Sequence, residues 1–323
     1  MTHTNHRRGI APGVVTVLAA SGLALSLLSE PAETSATAFG PVPASVLPDL
    51  SGLGYVGDGR FIAVHDAKNP DELDKPRVSL LQTPVDLEGV LWLPVDVNWH
   101  GMESSDLESV ARIPGTDRFL LCESGDDGDL NFQHIFRARV LGNWVDIETV
   151  VDWPVSIFNV EATAVARIKN SFFFLYAERA DNAPSTELNW ASFDPAAMTF
   201  GPFQSVTLQN PDPAGTNRPV VGLDVDASGR ILTVSSFDPE AAGLPGDPDL
   251  GPFRSSVWDV GRLVRTASGA EIVLDAEPVR VAKIDGFKTE SVVAVEDESG
   301  ETVFVGFDDE DYGGTLRPMP PLE

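Results

Sequence analysis

An all-β fold, and within that class a β-propeller, is what this sequence predicts, from three observations. A short apolar hairpin phrase occurs five times along the 323 residues. The runs that flank each hairpin turn are rich in Val, Ile and Phe and too short for helices. Past the N-terminal segment there is no amphipathic helical stretch of useful length.

The copies begin at Asp49 (DLSGLGYVGDGRFIAVHDAKN), Asp106 (DLESVARIPGTDRFLLCESGD), Asn159 (NVEATAVARIKNSFFFLYAERAD), Val220 (VVGLDVDASGRILTVSSFDPE) and Lys288 (KTESVVAVEDESGETVFVGFDDEDYG). Their turns, GDGR, PGTDR, RIKN, DASGR and DESGE, supply the Gly, Asp and Asn that tolerate positive φ in tight hairpins. Further strand-like pieces such as 89–99 and 143–153 lie between copies, so one hairpin plus outer strands makes one blade. Propeller repeats usually run to about 40–50 residues. The wider spacing here implies long loops, with QNPDPAGTNRP (209–219) and AAGLPGDPDLGP (241–252) the clearest. Five blades are favoured, and a degenerate sixth has room between Gly251 and Lys288.

The chain is expected to divide into a signal peptide (1–38), one propeller domain (39–315) and a disordered tail (316–323). Arg7 and Arg8, the uncharged apolar run Gly13–Leu28 and the Ala36-Thr37-Ala38 cleavage site have the order of a secretory signal. The expected destination is secretion, the periplasm or the cell envelope, with no membrane span in the mature chain and a monomeric protein. The apolar run also fits an uncleaved anchor, although it is short for a span of about 20 residues. Cys122 is the only cysteine, so no intramolecular disulfide forms, and its place in FLLC marks a buried, inert thiol.

The 49 Asp and Glu stand against 22 Lys and Arg, a formal net charge of -27. Such a field repels nucleic-acid phosphates and anionic lipid and excludes both as partners. It also serves solubility alone. Placement of the acids is more telling. A hairpin returns to the side it left, so residues leading into the first strand and trailing the second share one face. Leading positions hold Ser51, Glu108, Glu161, Val221 and Glu290; trailing positions hold His65-Asp66, Glu123, Glu178, Asp238 and Asp308-Asp309. Like charges crowded at a channel mouth require protonation, water or a cation. Hard carboxylates without thiolates point to Ca²⁺, with Glu108, Glu123, Asp126, Glu161, Glu178, Glu290, Asp308 and Asp309 as candidate ligands. The acidic segments 123–131 and 308–314 read equally as calcium loops or as solvated loops. A wide, wet rim that needs no ion fits the same acids.

The phrases DLESVARIPGTDRFLLCESGD and KTESVVAVEDESGETVFVGFDDEDYGG resemble the phytase-like propeller family, described as having esterase-like activity of phytase. The resemblance covers most of the region from Asp49 to Gly314 through short, degenerate motifs, and implies that Glu108, Glu123, Glu290 and the Asp308 cluster match the family's acidic positions. It also implies calcium-assisted hydrolysis of an ester, lactone or phosphoester. The D-A-x-D-P-A motif of calcium-dependent phytases is absent, as is a dense set of Lys and Arg, so phytase activity itself is not expected. No G-x-S-x-G or H-E-x-x-H occurs, and GLGYVG (52–57) lies inside a hairpin. His65 and Glu108 are the candidate catalytic residues, His65 as general base for a calcium-held water. The alternative is a non-catalytic binding propeller with structural calcium; a small molecule, carbohydrate or phosphoester is the expected ligand.

Overall fold

The computed structural model describes residues 50–319 except 70–71, 74, 84–90, 94, 126–131, 298–299 and 309–312. The expected signal peptide lies outside the described residues. The strands form five antiparallel blades. Blade 1 has the order β1 (Gly52–Gly57), β2 (Arg60–Val64), β3 (Val78–Gln82), β4 (Leu91–Leu93). Blade 2 runs β6 (Leu107–Arg112), β7 (Arg118–Glu123), β8 (His134–Leu141), β9 (Trp144–Asp152), with β5 (Asp96–Asn98) added in parallel to β9. Blade 3 runs β10 (Val160–Ile168), β11 (Ser171–Glu178), β12 (Ser185–Asp194), and both β13 (Thr199–Phe200) and β14 (Gln204–Gln209) pair with β12. Blade 4 comprises β15 (Arg218–Val225), β16 (Arg230–Phe237), β17 (Arg254–Arg265) and β18 (Ala270–Asp285). Blade 5 comprises β19 (Thr289–Asp297), β20 (Gly300–Phe307) and β21 (Thr315–Pro318).

Each of the five repeated phrases is the inner hairpin of one blade. The room for a sixth blade is taken by β17 and β18, the outer strands of blade 4. The inner strands touch in the circular order β1, β6, β10, β15, β19 and back to β1, which closes the propeller. The expected disordered tail begins instead as a strand: β21 pairs with β20, and Leu316 is buried in the seam between blades 5 and 1. Its apolar side chain at a closing interface outweighs the proline-rich composition that surrounds it.

Why the strands read as continuous apolar runs is now clear. Five apolar clusters occupy the five seams between neighbouring blades, so a blade is buried on both faces. In β7, Phe119 and Leu121 face blade 1 while Leu120 and Cys122 face blade 3. Phe61, Phe119, Phe136 and Phe174 are fully buried, each contributing on the order of 2 kcal/mol by area. Burial pushes the Cys122 thiol up to about 12, which makes it inert. Among the described residues no helix is long and apolar enough to cross a membrane.

Candidate active site at the acidic channel mouth

The leading glutamates owe their position to a repeated irregularity. In blades 2, 3 and 5 the inner ladder skips one residue, between Leu107 and Ser109, Val160 and Ala162, and Thr289 and Ser291. The skipped residues are Glu108, Glu161 and Glu290. A bulge takes its extra residue out of the ladder and redirects the side chain. Ser51 and Val221 hold the corresponding places in blades 1 and 4, both buried. Asp106 (φ 58) and Asn159 (φ 114), two residues earlier, adopt the left-handed backbone that Asp and Asn tolerate best.

Three glutamates thus meet at one mouth, but their surroundings differ. Burial pushes the Glu108 carboxyl well above its usual range, and Asp106, Glu161, Asp66 and Glu290 push the same way. It forms no ion pair among the described residues. Glu161 is buried, with Arg179 Nε 3.2 Å from its Oε1. Burial disfavours the Arg179 charge, but Glu161, Asp181, Glu108 and Glu290 outweigh that and hold the guanidinium firmly protonated. Glu290 lies between: burial drives its carboxyl well up and Asp308 and Glu161 add to that, while Lys288 opposes. Its Oε1 is 3.2 Å from Lys288 Nζ and 3.7 Å from Arg218 Nη1, close enough for ion pairing but without hydrogen-bond geometry.

The trailing residues separate by a single step. Asp106, Asn159 and Lys288 carbonyls accept from the amides of Ser124, Arg179 and Asp308, so these three are structural equivalents. Glu123 and Glu178 stand one residue earlier, and successive side chains on a strand point opposite ways. Glu123, fully buried, accepts from the Ser105 amide (3.0 Å) and from the His134 amide (2.9 Å), and its Oε2 lies 2.8 Å from His134 Nδ1. Glu178 accepts from the Phe158 amide at 3.1 Å. Both are bound to local backbone rather than gathered with the leading glutamates. His65 is buried with its Nε2 2.8 Å from Ser79 Oγ, which also accepts from Trp92 Nε1 at 2.9 Å. Its neighbour Asp66 is open to the mouth; desolvation raises its carboxyl to about 6, helped by Asp308 and Asp106.

Among the described residues four cations answer the acids: Lys68 to Asp106 (3.3 Å), Lys288 to Asp308 (2.7 Å), Arg179 to Glu161, and Arg218 to Asp181 (2.9 Å) and Asp238. Arg218 lies within the stretch 209–219, where Pro and Gly mark only a loop, and nothing in the sequence signals its role. It is the first residue of β15 and so belongs to blade 4, the blade that presents Val221 in place of an acid. Among the described residues no group of three or more His, Cys, Asp or Glu is arranged to hold a metal ion. Asp126 and Asp309, expected as calcium ligands, lie outside the described residues, as do most of the two acidic loops.

Below the glutamates a polar pocket of about 10 Å³, lined by Ser51, Ser109, Glu161, Thr163, Glu290 and Ser291 among others, has room for one water. Leu53, Val110, Leu223 and Val292, also on its wall, close the axis beneath it.

The fold is that of known propeller enzymes. An endo-1,4-β-xylanase from Bacteroides thetaiotaomicron superposes with a TM-score of 0.50 at 10% identity, over 84% of this chain and 89% of that one. An exo-1,5-α-L-arabinanase from a bovine ruminal metagenomic library gives 0.47 at 10% identity, over 85% and 94%. An exo-β-1,3-galactanase from Clostridium thermocellum gives 0.47 at 10% identity over 84% of this chain, which spans 59% of that enzyme's length. No protein-family model matches the chain, and no curated protein matches it by sequence. The phytase-like resemblance therefore rests on its short motifs alone.

Proposed function

We propose that this chain is an exported hydrolase that cleaves a glycosidic bond of a saccharide at the acidic mouth. One observation carries the reading: glutamates from adjacent blades sit side by side in opposite charge environments. Glu108 is half-buried among acids that push its carboxyl well above the usual range, whereas Glu161 is paired with the Arg179 guanidinium. Carboxyl pairs whose environments drive their protonation apart provide an acid and a base at one pH. Glu108 gives its proton to the leaving oxygen as the glycosidic C–O bond breaks. Glu161 takes a proton from the water whose oxygen bonds to the anomeric carbon, leaving two free sugar hydroxyls. Glu290 and Asp66 keep the local field negative, which maintains the Glu108 proton and favours a developing oxocarbenium charge.

In this reading Arg179, Arg218 and Lys288 do the charge compensation expected of calcium, and His65 supports blade 1 through Ser79 rather than reaching the substrate. The xylanase that shares the fold makes xylan the first substrate to test. Xylo-oligosaccharides, together with aryl acetate and aryl phosphate esters, should be offered to the wild type and to Glu108→Gln and Glu161→Gln. Saccharide cleavage lost in both variants supports the proposal. Ester or phosphoester turnover that survives both variants would favour the esterase-like expectation. No turnover of any substrate would leave a binding propeller.

A further inference from the structure

The opposite mouth of the channel, at the hairpin turns, holds a cavity of ≈ 710 Å³ that the proposed chemistry does not use. That is ample for a sugar-sized ligand. Leu53, Val110, Leu223 and Val292, which line the pocket on the acidic side, line this cavity too, so the two share a wall.

The charges on its rim are divided by blade. Blades 2 and 3 present Arg112 and Arg167, at the ends of two matching V-A-R-I phrases (110–113 and 165–168). Neither makes an ion pair among the described residues. The Arg112 guanidinium lies over the Tyr55 ring at 6.0 Å and that of Arg167 over the Phe172 ring at 5.6 Å; Arg167 also donates from Nε to the Lys169 carbonyl at 3.0 Å, and its two terminal nitrogens donate no hydrogen bond among the described residues. Arg167 Nη1 comes within 3.0 Å of where a Cβ on Gly115 would stand, so this guanidinium leans onto the turn of blade 2, toward the Arg112 side. The third arginine, Arg230, is consumed by Asp226 (3.0 Å) and Glu301. Across the cavity Asp224 accepts from the Ala294 amide at 2.7 Å, and its carboxyl is available to a hydroxyl donor.

Two uncommitted guanidinium forks on adjacent blades are unusual in a chain of net charge -27, and forks of this kind pair with carboxylate or phosphate through two hydrogen bonds. We propose that this cavity is a second ligand site, for a small hydroxylated anion such as a sugar acid or sugar phosphate. The oxyanion sits on Arg112 and Arg167, the ring lies near Tyr55, and hydroxyls reach the Asp224 side. The inference does not rest on the glycosidase reading, because the two sites share only the apolar wall residues Leu53, Val110, Leu223 and Val292 and no charged residue.

Calorimetric titration of the full chain with glucuronate, with glucose 6-phosphate and with neutral glucose, at constant ionic strength, tests it. Saturable binding of at least one anion is expected, weakened tenfold or more in Arg112→Gln/Arg167→Gln and unchanged in Glu108→Gln. Both arginines are exposed, so an unchanged melting temperature serves as the folding control. Absence of saturable binding by either anion would overturn the proposal. So would equal affinity in the double variant, or equal affinity for glucose.

Discussion

Replacing Asp224 with Asn should stabilise the protein at neutral pH, and by an amount that depends on pH in a defined way. Asp224 sits in β15 with Oδ2 accepting from the Ala294 amide, and burial raises its carboxyl from 3.8 to about 6 against the pull of that bond. A raised carboxyl pKa means that the folded state binds the proton more tightly than the unfolded chain. Below pH 4 both states are protonated and nothing is lost. Between about 4 and 6 the unfolded carboxyl ionises first, so stability falls as pH rises; above 6 the loss is complete. The full shift corresponds to about 3 kcal/mol, and partial access of the side chain to the cavity brings the expectation to about 1–3 kcal/mol. Asn keeps the acceptor for the Ala294 amide and carries no charge. Denaturant melts of wild type and variant at pH 4 and pH 7.5 should therefore coincide at the lower pH and diverge at the higher, the variant being more stable. A variant no more stable at pH 7.5, or one with an equal offset at both pH values, would refute the reasoning. The same result would undercut the protonated Glu108 that the proposed chemistry requires, since burial is the leading cause in both.

Three further outcomes follow from the mouth. Hydrolysis should fall as pH rises past the elevated pKa of Glu108, and Glu108→Gln should remove that limb while lowering kcat by roughly 10²–10⁴-fold, measured as a pH–rate profile. Arg218→Met should cost about 2–4 kcal/mol in a denaturant melt at pH 7, because buried Asp238 loses its nearest cation and keeps only Arg179 at 3.8 Å, while Glu290 keeps Lys288; a loss below 1 kcal/mol would show that the pairs are screened. Millimolar Ca²⁺ against chelator at matched ionic strength should leave the melting temperature unchanged if Arg179, Arg218, Lys68 and Lys288 compensate the acids they pair with, as the proposed function requires. A rise of several degrees, near the about 2.7 kcal/mol expected at a hundredfold excess over Kd, would restore calcium to the site.

Much of this architecture is legible in the chain. The phrase RFLLCE shows no alternation because both faces of β7 are buried, and five such hairpins in succession require a closed ring in which each blade covers its neighbours. The shared face of leading acids was equally readable, and Glu108, Glu161 and Glu290 do meet. Less legible was which of two adjacent trailing residues joins them. His65 or Asp66, Glu178 or Arg179 cannot be chosen from composition, because side-chain direction reverses at every step and a single bulge resets it.

By itself, then, the amino-acid order determined the all-β class, the five repeated inner hairpins and the clustering of acids at one end, since each depends only on local pattern and repetition; that no sixth blade follows Gly251 was decided by the pairing of β17 and β18 with blade 4. The tertiary structure alone decided which acids are paired with a cation and which are crowded by other acids. Glu108 and Glu161 stand in the same kind of strand at the same bulge, and no local pattern separates them. What does is Arg179 beside one and Asp106 and Asp66 around the other. Protonation is set by distance and burial in space, and those quantities exist only once the five blades have closed.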